Sequence, residues 1–261
     1  MLIDHLTFFT KIPLHQKGDM DKIAKSQYLF PMVGAITGVI LYVVSYLLFI
    51  IGIQAVLFSA LMLISLYSLT GILHMDGLGD FFDGLAVKGN RKKKIEALKD
   101  EKLGTSGTLA IVLFLMLLFS MFFSLHPYGQ RKVSFISLSR VVPLPVFFIS
   151  LVVMEISSKL AMNTLAFFSQ PTGEGMGKFF LDRLKLRHYL ISLSTAILLV
   201  ILIYPYLLVI LLISQSVPLI INRTAEKNFG GVNGDIIGAS NEITRAITLL
   251  LLLSYWGWYF G

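Results

Sequence analysis

In the stretch His74-Met75-Asp76-Gly77-Leu78-Gly79-Asp80-Phe81-Phe82-Asp83-Gly84, three aspartates and three glycines follow an apolar run, with no basic residue among them. If the stretch is helical, Asp76, Asp80 and Asp83 stand at i, i+4 and i+7 and share one face. Three carboxylates on one stripe repel one another unless a cation neutralises them. Their oxygens suit a hard divalent ion, Mg²⁺ or Mn²⁺. The plainer reading, solvated acids at a helix end, predicts a surface of mixed charge. This stretch is purely acidic and rich in Gly and Phe, and basic residues begin only at Lys88.

A second acidic stretch lies late in the chain. Phe229-Gly230-Gly231-Val232-Asn233-Gly234-Asp235 continues through Ile236-Ile237-Gly238-Ala239-Ser240-Asn241-Glu242, placing Asp235 and Glu242 at i and i+7 after a Gly- and Asn-rich turn. If the two stripes converge, they suit a pyrophosphate-containing substrate, because Mg²⁺ is held by a few carboxylates plus substrate phosphates. A spare carboxylate there could take the proton of an attacking hydroxyl. The chain has no GxxxxGK[ST] loop, GxSxG elbow or HExxH helix, so those chemistries find no support.

The elements that must position these acids are set by composition. Of 261 residues, 56% are hydrophobic and 14% charged, and the mean hydropathy is +0.78. That is the profile of an all-α, polytopic membrane protein forming a single domain over residues 1–261. A span needs about 20 apolar residues, and seven stretches qualify: Leu29–Gly52, Ala55–Leu73, Gly107–Leu125, Val133–Met154, His188–Tyr204, Tyr206–Ile221 and Ile243–Phe260. The fifth and sixth meet at Tyr204-Pro205-Tyr206 and read either as two short spans or as one kinked helix. Cysteine is absent, which removes disulfide and thiolate chemistry.

Charge placement orients the chain. Of 22 Lys+Arg, 19 fall before the first span, in the loop after the second, in 155–187, or between Arg223 and Arg245. Arg131 and Lys132 occupy an opposite loop, and Arg140, a few residues into the fourth span near Pro143 and Pro145, is expected to snorkel outward. By the positive-inside rule the N-terminus and the three basic loops are cytoplasmic. All 15 acidic residues then fall on that same side, none of them mid-membrane. The net charge of +7 needs no nucleic-acid partner. It suits anionic membrane lipids and phosphorylated substrates, and a homo-oligomer is compatible with the pattern.

Several loops carry further signals. Residues 1–28 read as an N-terminal interfacial segment rather than a targeting peptide, since no continuous apolar core is present. Gly34 and Gly38 form a small-xxx-small pair that predicts close helix packing. The basic run Lys88-Gly89-Asn90-Arg91-Lys92-Lys93-Lys94 is a positive-inside determinant that could also hold the anionic groups of a nucleotide. Lys99-Asp100 and Gly104-Thr105-Ser106-Gly107 lead into the third span. Backbone N–H groups at such a helix start can face a phosphate, and Asp100 is a possible further metal ligand. Gly173-Glu174-Gly175-Met176-Gly177-Lys178 is loop-like and could fold over a ligand. The turn His126-Pro127-Tyr128-Gly129 carries no assigned role.

The pattern Asp80-x-x-Asp83-Gly84 resembles that of the CDP-alcohol phosphotransferases, but the chain continues Leu85-Ala86-Val87-Lys88 without that family's Ala-Arg pair or its later acidic repeat. A longer resemblance is to the cobalamin synthase (adenosylcobinamide-GDP ribazoletransferase) family. It is carried by Phe8-Phe9-Thr10-Lys11-Ile12-Pro13, Phe30-Pro31-Met32-Val33-Gly34, Thr70-Gly71 and the whole of His74–Gly84. It continues through Lys99-Asp100, Leu103-Gly104-Thr105, Gly107, Gly230–Ala239 and Glu242. Gly79 stands where Ala is usual and Asn233 where Thr is usual. Gln170-Pro171-Thr172 replaces a Tyr-Ala-Arg, so a role carried by that Arg is not transferred.

The resemblance implies a Mg²⁺-dependent enzyme of cobalamin biosynthesis. It would join adenosylcobinamide-GDP to α-ribazole or α-ribazole 5′-phosphate and release GMP. On this reading Asp76, Asp80, Asp83 and Asp235 hold the metal, and Asp83, Asp100 and Glu242 are the catalytic candidates. Lys88, Arg91, Lys99, Gly104, Thr105, Gly107, Gly230, Gly231 and Asn233 bind substrate, at a site on the cytoplasmic face. The competing readings are a CDP-alcohol phosphotransferase, a cation transporter whose carboxylates meet permeating ions, and a membrane scaffold.

Overall fold

A computed structural model describes residues 1–14, 18–100, 102–126 and 145–260. Among them regular structure is helical, and the one sheet-like contact is an isolated parallel bridge between Pro171 and Val232. Helices are what apolar runs become in lipid, where each backbone N–H and C=O needs an internal partner. Six are long and apolar enough to cross a membrane: Gln27–Ile50, Thr105–Leu125, Phe148–Phe168, Leu186–Ile203, Pro205–Phe229 and Gly234–Trp258. Ala55–Thr70 and Leu73–Ala86 meet that test only together, as a seventh candidate broken by a 97° bend. The Tyr204-Pro205 junction therefore separates two spans.

The outward faces of the spans are apolar. Val39, Val43, Leu47 and Ile50 face outward from the first span, and Leu109, Val112, Leu113, Met116 and Leu117 from Thr105–Leu125. Lipid rather than water is the solvent such a surface matches.

The bundle is built around one central helix, Pro145–Phe168, in which every residue from Phe148 to Ala166 except Ile149 is buried. Here the structure corrects the expected fourth span. The helix continues fourteen residues past Met154, so Glu155 and Lys159 belong to a span and not to a cytoplasmic loop. Arg131, Lys132, Arg140, Pro143 and the turn from Pro127 lie outside the described residues. Gly34 and Gly38 bear out their packing role: a Cβ on Gly34 would run into the carbonyl of Glu155, and one on Gly38 would stand 2.5 Å from Val152 Cα.

The expectation that no acid lies mid-membrane is also corrected. Glu155 on the central helix and Glu242 on the terminal helix Gly234–Phe260 are both buried within spans. They persist there because each has cationic and hydrogen-bonding partners. Arg245 Nε donates to Glu155 Oε1 at 2.6 Å, and its Nη1 donates to Glu242 Oε1. Thr37 Oγ1 donates to Glu155 at 3.1 Å and Tyr67 OH to Glu242 at 3.0 Å. Lys159 Nζ donates to Asn241 Oδ1 at 2.7 Å, and Asn241 Nδ2 reaches Glu242 at 3.1 Å. Two carboxylates and two cations thus close a neutral network across two helices.

Residues 1–28 form two short helices, Leu2–Phe9 and Met20–Lys25. Phe9, Ile23 and Ala24 are buried in the same apolar cluster as Met75, Leu78 and Phe81 of Leu73–Ala86. The N-terminal segment is thereby packed against the element carrying the first acidic stripe.

Arg245→Met strands two buried carboxylates and is expected to cost roughly 3–5 kcal/mol. SDS-induced unfolding in mixed micelles measures it, and an unchanged midpoint would show that the network does not hold the helices together.

Candidate active site

The acidic motif is helical, as its spacing predicts. Leu73–Ala86 follows Gly71, whose φ of +72° is a conformation glycine adopts at little cost, and the 97° turn there directs the helix across the end of the bundle rather than through it. The motif therefore lies beyond the bend, against the starts of the helices at Thr105 and Gly234. Lys11 is tied to the bend, its backbone N–H donating to Leu69 O at 2.8 Å while its side chain passes over Gly71.

Gly77 sets the next contact. A Cβ there would stand 2.5 Å from the carbonyl oxygen of Asp235, so glycine lets the aspartate helix lie directly on the start of the terminal helix. Asp235 occupies the first turn of that helix. Asn233 caps it, accepting from Ile236 N–H at 3.0 Å and donating to Asp235 Oδ2 at 2.7 Å. A carboxylate in a first helical turn also meets the positive end of the helix dipole.

The crossing opens a cleft of about 430 Å³ walled by Asp76, Asp80, Asp100, Glu174 and Asp235, with Lys99 its one basic residue among those described. Leu98, Leu103, Met176, Gly177, Asn233 and Gly234 complete the lining. The excess of negative charge has a visible effect on Asp80. Its carboxyl is pushed up to about 7, first by desolvation and then by the charges of Asp235, Asp76, Asp83 and Asp100. Asp76 and Asp80 of the first stripe do meet Asp235 of the second, more than 150 residues away in sequence, while Asp83 and Glu242 stand outside the cleft. Among the described residues, no group of three or more His, Asp or Glu side chains stands ready to hold a metal unaided. The donors are nonetheless hard oxygens in a field that favours a cation, which is the donor chemistry of Mg²⁺.

Other sequence candidates have different placements. Asp83 turns from the cleft to the start of helix Thr105–Leu125, where Oδ2 accepts from Gly104 N–H at 2.7 Å and Oδ1 from Gly107 N–H at 2.8 Å. The helix-start N–H groups expected to face a phosphate are thus engaged by a carboxylate of the chain itself. A Cβ on Gly104 would meet that carboxylate at 2.5 Å, and one on Gly107 would overlap it. Thr105 is exposed beside them.

Glu242 does not line the cleft. It lies seven residues beyond Asp235, about 10 Å along the helix, and is bound to Arg245. Arg91 packs on Gly230 and donates to Glu226 O at 3.1 Å. Gly231 lies where a Cβ would stand 2.5 Å from Gln170 O, beside the bridge joining Pro171 to Val232. Lys88 is exposed and away from the lining.

Sequence reasoning gave the glycine-rich segment 173–178 only as a possible cover, and the structure sets three of its residues in the wall. Glu174 pairs with Lys178 at 2.7 Å, Met176 and Gly177 line the cleft, and Gly177 packs against the backbone of Asn233 and Gly234. The glycines at 173, 175 and 177 are the signal that marked this segment. Nothing in its spacing marked the contact with Asn233.

Fold and site together define a multi-pass helical membrane protein with an acidic cleft at one end of its bundle. The comparisons with known proteins are more specific. The cobalamin-5-phosphate synthase (CobS) family model matches residues 1–253, and the chain belongs to that family. It is 33% identical to the adenosylcobinamide-GDP ribazoletransferase of Pyrococcus furiosus, over 95% of this chain and 96% of that one. It is 36% identical to the protein of the same name from Thermococcus onnurineus, over 98% of each chain. For that of Methanococcoides burtonii the identity is 34%, over 94% and 88%. No solved structure matches the chain.

Asp80 also makes a pH prediction. A carboxyl raised in the folded state favours the protonated form, so its stabilising contribution is complete below the ordinary value of 3.8 and is lost as pH rises to about 7. Metal-free protein should therefore lose thermal stability across that interval, and Asp80→Asn should flatten the slope. Identical slopes for wild type and variant would contradict the assignment.

Proposed function

We propose that this chain carries out, at the cytoplasmic face of the cell membrane, the reaction for which its relatives are named. It joins adenosylcobinamide-GDP to α-ribazole, or to α-ribazole 5′-phosphate, and releases GMP, with Mg²⁺ as cofactor and Mn²⁺ as a substitute. The observation that carries this reading is the meeting of Asp76 and Asp80 with Asp235 in one cleft, an arrangement that favours a cation and, through it, a phosphate.

In the reaction a ribose hydroxyl oxygen forms a bond to the phosphorus attached to cobinamide. The bond from that phosphorus to the bridging oxygen breaks, GMP leaves with the electron pair, and the hydroxyl proton passes to a base. Bound Mg²⁺ would supply charge neutralisation on the diphosphate and the leaving phosphate. Asp76, Asp80 and Asp235 are the residues that would hold it. Because they do not close a site unaided, the remaining donors would come from the substrate phosphates and water.

The chain's own groups take the other roles. Lys99, on the cleft wall, presents a cation to the diphosphate. Asp100 stands on a separate segment from the metal-holding aspartates and serves as the proton acceptor. Asp83 holds the start of helix Thr105–Leu125, keeping Leu103 and the aspartate helix in register. The basic run Lys88–Lys94, exposed except at Lys94, attracts anionic substrates and lipid head groups to this face. A cation-transport reading draws less support, because the buried Glu155 and Glu242 are neutralised by Arg245 and Lys159 and, among the described residues, leave no open chain of acids across the bundle.

The test is incubation of purified protein with adenosylcobinamide-GDP and α-ribazole, with and without Mg²⁺. GMP release should need the metal and fall by about 100-fold or more in Asp80→Asn, since even groups that only support metal ligands are worth 10–100-fold. Full turnover in chelator would overturn the reading. Release of CMP from a CDP-alcohol donor, with none of GMP, would favour the phosphotransferase alternative.

A further inference from the structure

Beside the acidic cleft lies a second, smaller cavity of about 150 Å³ with a different character. Its walls are largely hydrocarbon and aromatic: Phe8, Phe30 and Phe180 from three separate segments, with Met162 and Ala166 from the central helix. The rings form a connected group, with Phe8 and Phe180 centroids 5.7 Å apart and Phe30 and Phe180 6.4 Å apart. The amide nitrogen of Gln27 in the wall is engaged by Ala24 O at 2.9 Å and Phe180 O at 2.8 Å. The cavity and the cleft share Met176, Gly177, Gly234 and Asp235. One wall therefore separates a carboxylate site from an aromatic one, and Asp235 faces both.

We propose that this cavity receives the flat aromatic base of the acceptor nucleoside, a role that rests on the transferase reading. Three physical arguments select that occupant. The volume is well below the roughly 300–1,000 Å³ of a site for a drug-sized molecule, so it takes one ring system and not a whole nucleotide or a macrocycle. A lining that is apolar apart from Gln27, His74 and Asp235 offers a charged phosphate no Lys or Arg and penalises an uncompensated polar group, which directs the diphosphate to the other cavity. Aromatic walls reward a planar ring through offset and edge-to-face contacts. With the base seated here, the attached ribose projects past Asp235 into the cleft, where a hydroxyl must meet the phosphorus. The cavity thus both selects the base and aims the nucleophile.

Two variants on the central helix test this. Ala166→Phe fills the cavity, and Met162→Ala enlarges it. The measurements are steady-state GMP release with each substrate varied, and calorimetric titration of α-ribazole alone into purified protein. Ala166→Phe should raise the acceptor KM by about tenfold or more, the value of losing one buried ring contact, while the donor KM stays within about twofold. Met162→Ala should shift preference toward an acceptor with a bulkier base, a readout that stands even if Ala166→Phe fails to fold.

An unchanged acceptor KM in folded Ala166→Phe, or equal acceptance of all bases by Met162→Ala, would overturn the proposal while leaving the reaction assignment intact. A wild-type protein that releases no GMP, yet binds α-ribazole in a way Ala166→Phe abolishes, would overturn the reaction assignment and keep the cavity. Loss of a co-purifying lipid from Ala166→Phe, with acceptor binding unaltered, would assign the cavity to a lipid chain and end the proposal.

Discussion

The contact between Gly77 and the carbonyl of Asp235 is the constraint from which the site follows. Two backbones meet where any larger side chain would hold them apart, and the carboxylates of Asp76 and Asp80 come to face Asp235 as a result. Such proximity is electrostatically unfavourable, and it adds to the burial that chiefly raises the protonation range of Asp80. The repulsion is tolerated because rigid elements impose it: a 97° turn at one end of the aspartate helix, and Asp83 fastened to the next span at the other. A site built in this way is predisposed toward a cation, since binding one relieves a strain that the fold maintains.

The terminal helix must itself be held in register for that contact to exist. Glu242 and Arg245 lie two and three turns beyond Asp235, and with Glu155 and Lys159 they make the charged seam between the terminal and central helices. Buried ion pairs add little net stability over apolar packing, but they penalise any slip that would separate the partners. In a bundle whose neighbouring surfaces are mostly interchangeable hydrocarbon, such a seam specifies one axial position. Small residues at 34 and 38 then bring the first span onto the same central helix.

Much of this was legible in the sequence because the signals were periodic or chemically extreme. The i, i+4, i+7 aspartates read correctly as one helix, and the apolar runs as spans, since length and hydropathy decide both. The fourth span was misplaced because Glu155 and Lys159 look like a boundary to any rule that counts charges. Only three-dimensional pairing with Arg245 and Asn241 shows that they belong inside. Gly104 and Gly107 carried a phosphate-loop appearance, yet glycine is required there by the close approach of Asp83. Glu242 shared the right spacing with Asp235 but had Arg245 three residues on, a local partner that draws it out of the site. The apolar cavity left no linear trace, being assembled from the N-terminal segment, the central helix and the segment after it.

The central claim, that distant carboxylates hold one cation between them, is tested most directly by electron paramagnetic resonance of Mn²⁺ titrated into purified protein in the presence of adenosylcobinamide-GDP. Asp80→Asn and Asp235→Asn should each weaken the same bound Mn²⁺ signal, and the double variant should do little more than either alone, because both ligands serve one ion. Undiminished Mn²⁺ affinity in Asp235→Asn, with loss only in Asp80→Asn, would contradict the account.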